Sequence, residues 1–259
     1  MKKETKKKSR DAEATKSRIL EAAKQEFAEN GLGGARVDII AERADANKRM
    51  IYHYFGNKDD LFRTVLIDAY VDIRTAEQAL ELDHLSPKDA LVKLVTFTWR
   101  YYLDNPEFLT LVNSANLHKG RHIEGSESVT EISRKYVNLV GRILERGVKN
   151  GSFRDSIDPV QLNITIAAIG YYYLTNRFTG SILYERDFME QSRLDERLAF
   201  NVETVLRLVE LWRSQTLHLV ICETSAQFWY PCFGAEPVDN WWVKARDFYE
   251  EKNCRLLLR

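Results

Sequence analysis

Apolar positions along most of this chain recur at spacings of three and four, the period of an amphipathic α-helix. Ile19, Leu20, Ala22, Ala23 and Phe27 make the first stripe and predict a helix from about Ala14–Thr15 to Asn30. Asn30-Gly31 ends it, since glycine reaches the left-handed conformation without a Cβ penalty. Gly33-Gly34 reads as a loop. Val37, Ile40 and Ala41 then form the inner face of a short helix from about Arg36 to Ala44. A third short helix follows Asn47, an N-cap residue whose side chain can accept from a backbone N–H one turn further in. There Met50, Ile51 and Phe55 face inward, while Lys48, Arg49, Tyr52 and His53 face outward. Asn57, with Asp59 and Asp60 behind it, opens a long fourth helix through Leu61, Phe62, Val65, Leu66 and Tyr70 to about Leu80, its acids suiting the helix dipole.

The pattern continues in the second part of the chain. Ser86-Pro87 is an N-cap followed by proline at the first helical position, and the helix it starts carries Leu91, Leu94, Val95, Phe97, Trp99 and Tyr102. Asn105-Pro106 repeats the signal ahead of Phe108, Leu111, Val112, Ala115 and Leu117. A loop over 120–126 precedes a long helix from about Val129 to Lys149, closed by Asn150-Gly151. Asp158-Pro159 opens a strongly apolar helix, and an amphipathic one runs from about Asp195 to Arg213. The expected fold class is all-α, with no internal repeat. After Ser214 the pattern lapses: this stretch holds Cys222, Cys232 and Cys254 together with Trp229, Trp241 and Trp242, and shows no clean period.

The stretch 41–55 has the form of a helix-turn-helix. Ala41 and Ala44 allow close helix approach, Asp45-Ala46 supplies the turn, and the helix after Asn47 has a packed back and a polar, basic front that fits a DNA major groove. Taken alone, it reads equally as an ordinary helical hairpin with a basic face. Its neighbours add to it. Ile19-Leu20-Glu21-Ala22-Ala23, Phe27-Ala28-Glu29-Asn30-Gly31, Ile40-Ala41-Glu42-Arg43-Ala44, Ile51-Tyr52-His53-Tyr54-Phe55 and Lys58-Asp59-Asp60-Leu61-Phe62, in unbroken order over roughly 14–65, resemble the TetR family of bacterial transcriptional repressors. The resemblance implies a three-helix DNA-binding head, a helical C-terminal domain that dimerises and binds a small effector, and repression released by that effector. Asp45 stands where the family usually has glycine. Ala35 and Arg36 stand where it often has threonines, which alters a phosphate contact, and Arg49 where it more often has a small residue.

Four regions are therefore expected: a basic disordered arm (1–13), the head (14–58), a helical ligand-binding and dimerisation domain (59–214), and an atypical extension (215–259). The formal net charge is zero, so whole-chain charge gives no argument for nucleic acid. The arm alone is basic, with Lys2, Lys3, Lys6, Lys7, Lys8 and Arg10 set against few acids. No apolar run approaches the roughly 18–20 residues a bilayer span requires, and no apolar segment follows the lysine-rich start. Three cysteines without a Cys-x-x-Cys spacing argue against a disulfide scaffold and a zinc site. A cytoplasmic protein without a membrane partner is expected.

In the head, helix N-termini attract phosphate, which makes the starts near Arg36, Asn47 and Lys58 natural clamps. Tyr52 occupies the family's tyrosine slot, where its hydroxyl can donate to phosphate. Lys48, Arg49 and His53 are the candidates for base edges, where arginine or lysine can bond guanine. For the effector, Trp99, Tyr102, Asn113, Asn116, Leu117, Arg121, Tyr136, Tyr172, Asn176 and Arg177 mix aromatic bodies with polar tips, as ligand cavities do, though aromatics at helical spacing are more often core. Asn116, Arg121 and Arg177 suit an acidic or amide-bearing ligand. The run 116–122 resembles a segment in a subgroup that includes regulators of pyrimidine and nicotinate breakdown, which implies a small aromatic or nitrogen heterocycle as effector.

His118 and His122 are four apart, but Gly120 between them argues against a shared metal on one helix. No nucleophile elbow, phosphate-cradling glycine loop or metalloprotease signature appears, so neither a catalytic residue nor a cofactor is expected. The homodimer implied by the resemblance would form through helices at about 159–179 and 195–213, placing two heads on a pseudo-palindromic operator. An activating role is the alternative to repression. A ligand-binding protein or enzyme with an incidental helix-turn-helix is the competing class, and a nonspecific DNA-architectural protein is a third.

Overall fold

A computed structural model describes the backbone of residues 2–211 and the side chains of residues 11–211. The irregular stretch at 215–259 lies outside the described residues, whereas the helix expected from about Asp195 to Arg213 runs instead from Gln191 and ends within them at Val209. Ten α-helices occur among those described: α1 (Lys2–Gly34), α2 (Val37–Arg43), α3 (Lys48–Phe55), α4 (Lys58–Gln78), α5 (Pro87–Asp104), α6 (Pro106–Leu117), α7 (Glu127–Lys149), α8 (Pro159–Thr175), α9 (Arg177–Leu183) and α10 (Gln191–Val209). A 3₁₀ turn at Leu82–His84 joins α4 to α5.

Four of the five predicted start signals act as caps; Asn105 does not, because its side chain turns back to donate to Tyr101 O at 2.9 Å. Asn47, Asn57, Ser86 and Asp158 each accept a backbone N–H with the side chain at the head of α3, α4, α5 and α8. Two further expectations need correction. The segment 2–13, expected as a disordered arm, is the beginning of α1. It has neither glycine nor proline and is dominated by lysine, with Glu4, Glu13 and Arg10, residues that favour helix. The helix expected over 159–179 stops at Thr175, and after Asn176 the chain resumes as the separate short α9. Gly31, as expected, breaks the helical path of α1, with φ 63° and ψ 175°.

Packing joins the head to the body. One core contains Ile19, Phe27, Ile40, Ile51 and Phe62 from α1 to α4 and continues without interruption into Trp99, Tyr102, Phe108 and Leu111 of α5 and α6. A second core, built by α5, α7, α8 and α10, contains Leu91, Leu94, Tyr136, Val140, Ile143, Leu162, Ile166 and Val205. α4 packs on α1 and α3 in the head and on α7 in the body. Lys24 of α1 pairs with Glu107 of α6 at 2.6 Å. Arg146 of α7 donates to the carbonyls of Leu82 (3.0 Å), Asp83 (2.6 Å) and Leu85 (2.9 Å), which fixes the 3₁₀ turn against the second core.

Gly147 on α7 has no room for a side chain: a Cβ there would overlap the ring of the buried Phe153. Overpacking of this kind costs about 1–3 kcal/mol. Gly147→Ala is therefore expected to lower the thermal midpoint by several degrees, while Gly33→Ala, where a Cβ would meet open space, leaves it nearly unchanged. Melting curves of the two variants check this.

Candidate nucleic-acid interface and effector site

The turn between α2 and α3 is made by Asp45, whose φ of 46° is the left-handed conformation glycine would otherwise supply. Aspartate visits this region more readily than most residues, so the departure from glycine leaves the turn intact. Ala46 N–H donates to Ala41 O (3.0 Å), and Arg18 of α1 donates from Nε to Ala44 O (3.1 Å), pinning the turn to the core. The start of α2 has no side-chain cap of its own. Glu26, a buried carboxylate on α1, replaces it by accepting the Arg36 N–H at 3.0 Å, and lies 3.4 Å from Arg43 Nη2. Glu26 is a capping residue that the apolar pattern hides, because it sits beside Phe27 within the buried stripe.

On this frame Ile51 is buried, and Lys48, Arg49, Tyr52 and His53 lie exposed on one short helix. Asn47 is committed to capping, accepting the Arg49 N–H at 2.8 Å. Arg36 is exposed and its guanidinium grips Asp38 (2.7 and 3.3 Å), which holds the Asp38 carboxyl below its usual range. Lys58, at the first position of α4, donates from Nζ to Ala35 O (3.2 Å) and Gly33 O (3.4 Å) and so closes the loop ahead of α2. The structure thus brings α2's start, α3's outer face and α4's start together as one polar surface.

Next to Lys58, Asp59 connects the head to the body. Arg121 Nη2 lies 2.6 Å from Asp59 Oδ1 and His122 Nε2 3.2 Å from it. The hydrogen bond from His122, then the charge of Arg121, holds the Asp59 carboxyl low. The buried His122 ring also meets Phe62 edge-on at 4.9 Å, and Phe62 meets Phe27 edge-on at 5.1 Å. Arg121, predicted to grip a ligand, is therefore engaged in the joint between head and body. His118 Nδ1 lies 2.8 Å from Ser114 O at the end of α6.

The other effector candidates divide into three settings. Trp99, Tyr102 and Tyr136 are buried core. Asn113 and Asn116 are exposed, the first accepting from the Tyr171 hydroxyl and the second donating to Val112 O (2.9 Å). Leu117 and Tyr172 stand out into solvent, 83% and 63% exposed, while Asn176 and Arg177 donate to the Tyr172 and Leu174 carbonyls around the α8–α9 junction. None of the ten lines either of two sizeable grooves on the body: about 650 Å³ between α5 and α10, and about 610 Å³ beside the end of α4, walled by Leu80, Leu85, Val92, Phe97, Arg100 and Tyr101.

Two charged residues in the interior escaped the sequence reading. In the last turns of α4, Arg74 Nη1 donates to Glu77 Oε2 at 2.6 Å, and Glu77 is only 1% exposed. The Arg74 guanidinium lies over the Tyr136 ring at 4.2 Å. Burial pushes the Glu77 carboxyl up to about 7 even though Arg74 opposes the shift. Burial likewise raises the Tyr102 and Tyr136 hydroxyls, which remain proton donors at neutral pH. An (i, i+3) Arg–Glu pair on a helix is common on surfaces, so the sequence alone gives no sign that this one is inside.

A capped, basic recognition helix on a three-helix head, rooted in a larger helical body, defines a helix-turn-helix DNA-binding regulator. Residues 19–65 match the family model "Bacterial regulatory proteins, tetR family", and residues 87–205 match "Tetracyclin repressor-like, C-terminal domain". The chain is 37% identical over 196 residues to the HTH-type transcriptional repressor NicS of Pseudomonas putida, covering 76% of this chain and 92% of that one. It is 55% identical over 162 residues to the HTH-type transcriptional repressor SCO4008 of Streptomyces coelicolor, covering 62% and 78%. A bacterial regulatory protein of the tetR family from Rhodococcus RHA1 shares the fold, with a TM-score of 0.60 at 22% identity over 76% of this chain and 97% of that one. The chain belongs to the TetR family of transcriptional regulators. Among the described residues no helix is long and apolar enough to cross a membrane.

The buried pair gives a pH signature. Because the folded Glu77 carboxyl titrates near 7 and the unfolded one near 4.5, the folded protein binds more protons between these values. Stability is therefore expected to fall as pH rises through that window, by about 3 kcal/mol, and to be flat above it. Glu77→Gln should remove most of the slope, as read from denaturant unfolding at pH 5 and pH 8.

Proposed function

We propose that this protein is a homodimeric repressor that binds a pseudo-palindromic operator and is released by a small-molecule effector, a small aromatic or nitrogen heterocycle. The observation that carries the reading is the α3 surface, where Lys48, Arg49, Tyr52 and His53 project from a short helix whose back is anchored in the core by Ile51. Lys48, Arg49 and His53 face the base edges, and Tyr52, Lys58, Arg36 and the capped start at Asn47 meet the phosphates. That two relatives are named repressors supports the sign of the effect.

The dimer forms through α8 and α10. Val160, Ile164 and Tyr172 recur along α8 as exposed side chains, and Phe200 and Leu208 do so on α10. Apolar surface of this extent marks an interaction face. Ile164→Arg combined with Phe200→Arg is expected to convert a dimer at micromolar concentration to a monomer in light scattering, and to weaken operator binding in parallel. A wild-type monomer under the same conditions contradicts the assignment.

The DNA contacts are separable by salt. Lys58→Ala is expected to weaken binding nearly uniformly across operator sequences and to reduce the salt slope by about one unit. Arg49→Ala should instead narrow the gap between operator and unrelated DNA. Fluorescence anisotropy with labelled duplexes at three salt concentrations distinguishes the two, and an unchanged affinity and slope for Lys58→Ala removes it from the interface.

A further inference from the structure

Asp38 sits on the proposed DNA-facing surface with the wrong sign for phosphate. It lies in the first turn of α2 and is exposed, as are Arg36 before it and Lys48 at the start of α3. Arg36 takes its carboxylate as a fork, Nε to Oδ1 at 3.3 Å and Nη2 to Oδ2 at 2.7 Å. The carboxyl is held below its usual range, first by that hydrogen bond and also by the charge of Lys48, which is near enough to act on it. It is therefore an anion at neutral pH. Capping α2 does not account for it: the start of that helix has no side-chain cap of its own and takes its acceptor from Glu26, whose Oε1 lies 3.0 Å from the Arg36 N. An anion beside phosphates weakens binding to any duplex, so its place on this surface calls for a donor on the DNA.

We infer that Asp38 determines operator specificity by accepting from the N4 amino group of a cytosine in the major groove, with Arg36 as the residue that positions it. This rests on the operator-binding reading above and names a base that the site selects. A carboxylate can only accept. In the major groove guanine offers N7 and O6 and thymine offers O4, all acceptors that repel it. Adenine sets its N6 amine beside the N7 acceptor, whereas cytosine offers the N4 donor alone. Arg36 spends Nε–H and one Nη2–H on Asp38, which leaves its Nη1 edge for a phosphate oxygen. One planar guanidinium can thus anchor to the backbone and hold the carboxylate rigid beside it. Lys48, whose charge reaches Asp38, suits the guanine paired with that cytosine. The acid also works against wrong sequences, because it meets an acceptor or a phosphate wherever the cytosine is absent.

The test is selection of binding sequences by the full chain from a duplex library with a randomised centre, run in parallel for the wild type, Asp38→Asn and Arg36→Gln. The wild type is expected to select a pseudo-palindrome with cytosine fixed at one position of each half-site. Asparagine suits adenine, to which it can both donate and accept. Asp38→Asn is therefore expected to exchange cytosine for adenine, or to lose its preference, at that position and nowhere else. Arg36→Gln should blur the same position and also lower the salt slope by about one unit per half-site. In fluorescence anisotropy, Asp38→Asn should bind an unrelated duplex more tightly than the wild type does, and its preference for the wild-type operator should shrink roughly fivefold or more, the worth of one good base contact. A purely structural role for Asp38 would weaken all sequences alike without moving the selected base. An unchanged selected sequence for Asp38→Asn overturns the proposal and leaves operator recognition through α3 standing, as does a loss of affinity spread evenly over every position. A wild type that selects no sequence at all overturns the operator reading itself, and this inference with it.

Discussion

The side chain on which most of the structure depends is Phe62. Its ring is fully buried, with Phe27 of the head against one edge and His122 of the body against another. One turn before it, Asp59 takes both Arg121 and His122. Lys58, which closes the loop ahead of α2, directly precedes Asp59. Within five residues α4 therefore completes the core of the head, pairs with the loop after α6 and ties down the start of α2. Aromatic pairs of this kind add about 0.5–1.5 kcal/mol each beyond their buried area. The head is not a bead on a linker but a continuation of the body's packing.

α4 is the common element in a second sense. Its first turn orders the loop ahead of α2, and its last turns carry the Arg74–Glu77 pair. The seventeen residues from Lys58 to Arg74 span about 24 Å of continuous helix. A rigid rod that ends in two different polar sites can pass a displacement from one to the other, because a close-packed core shifts between discrete arrangements rather than deforming gradually. An effector acts only through its different affinity for the two arrangements.

Much of this was legible in the sequence. Ile19 to Phe27, Ile40 and Ile51 set the head's core by spacing alone, and Asn47, Asn57, Ser86 and Asp158 announced four helix starts that all became side-chain caps. What remained hidden was tertiary. Arg121 resembles a ligand-gripping residue until its neighbour across 62 positions, Asp59, is known. Glu26 and Glu77 are charged residues in apolar surroundings, and periodicity places charges outside by default. Trp99, Tyr102 and Tyr136 carry polar tips that suit a ligand cavity, yet all three are core, and no spacing rule marks the Arg74 guanidinium that lies over the Tyr136 ring. The helical start of α1 was missed because a lysine-rich run reads as a tail by charge and as a helix by propensity.

The Asp59–Arg121–His122 joint fixes the head on its own body, and in the proposed dimer it therefore sets the spacing of the half-sites. Operator affinity would be measured on duplexes whose two half-sites are moved apart one base pair at a time, for the wild type and for Asp59→Ala. Heads held by the joint give a sharp optimum at one spacing, which broadens by at least one base pair on either side once the joint is cut. A wild-type optimum that is already flat, or one that stays equally sharp in Asp59→Ala, would contradict the account.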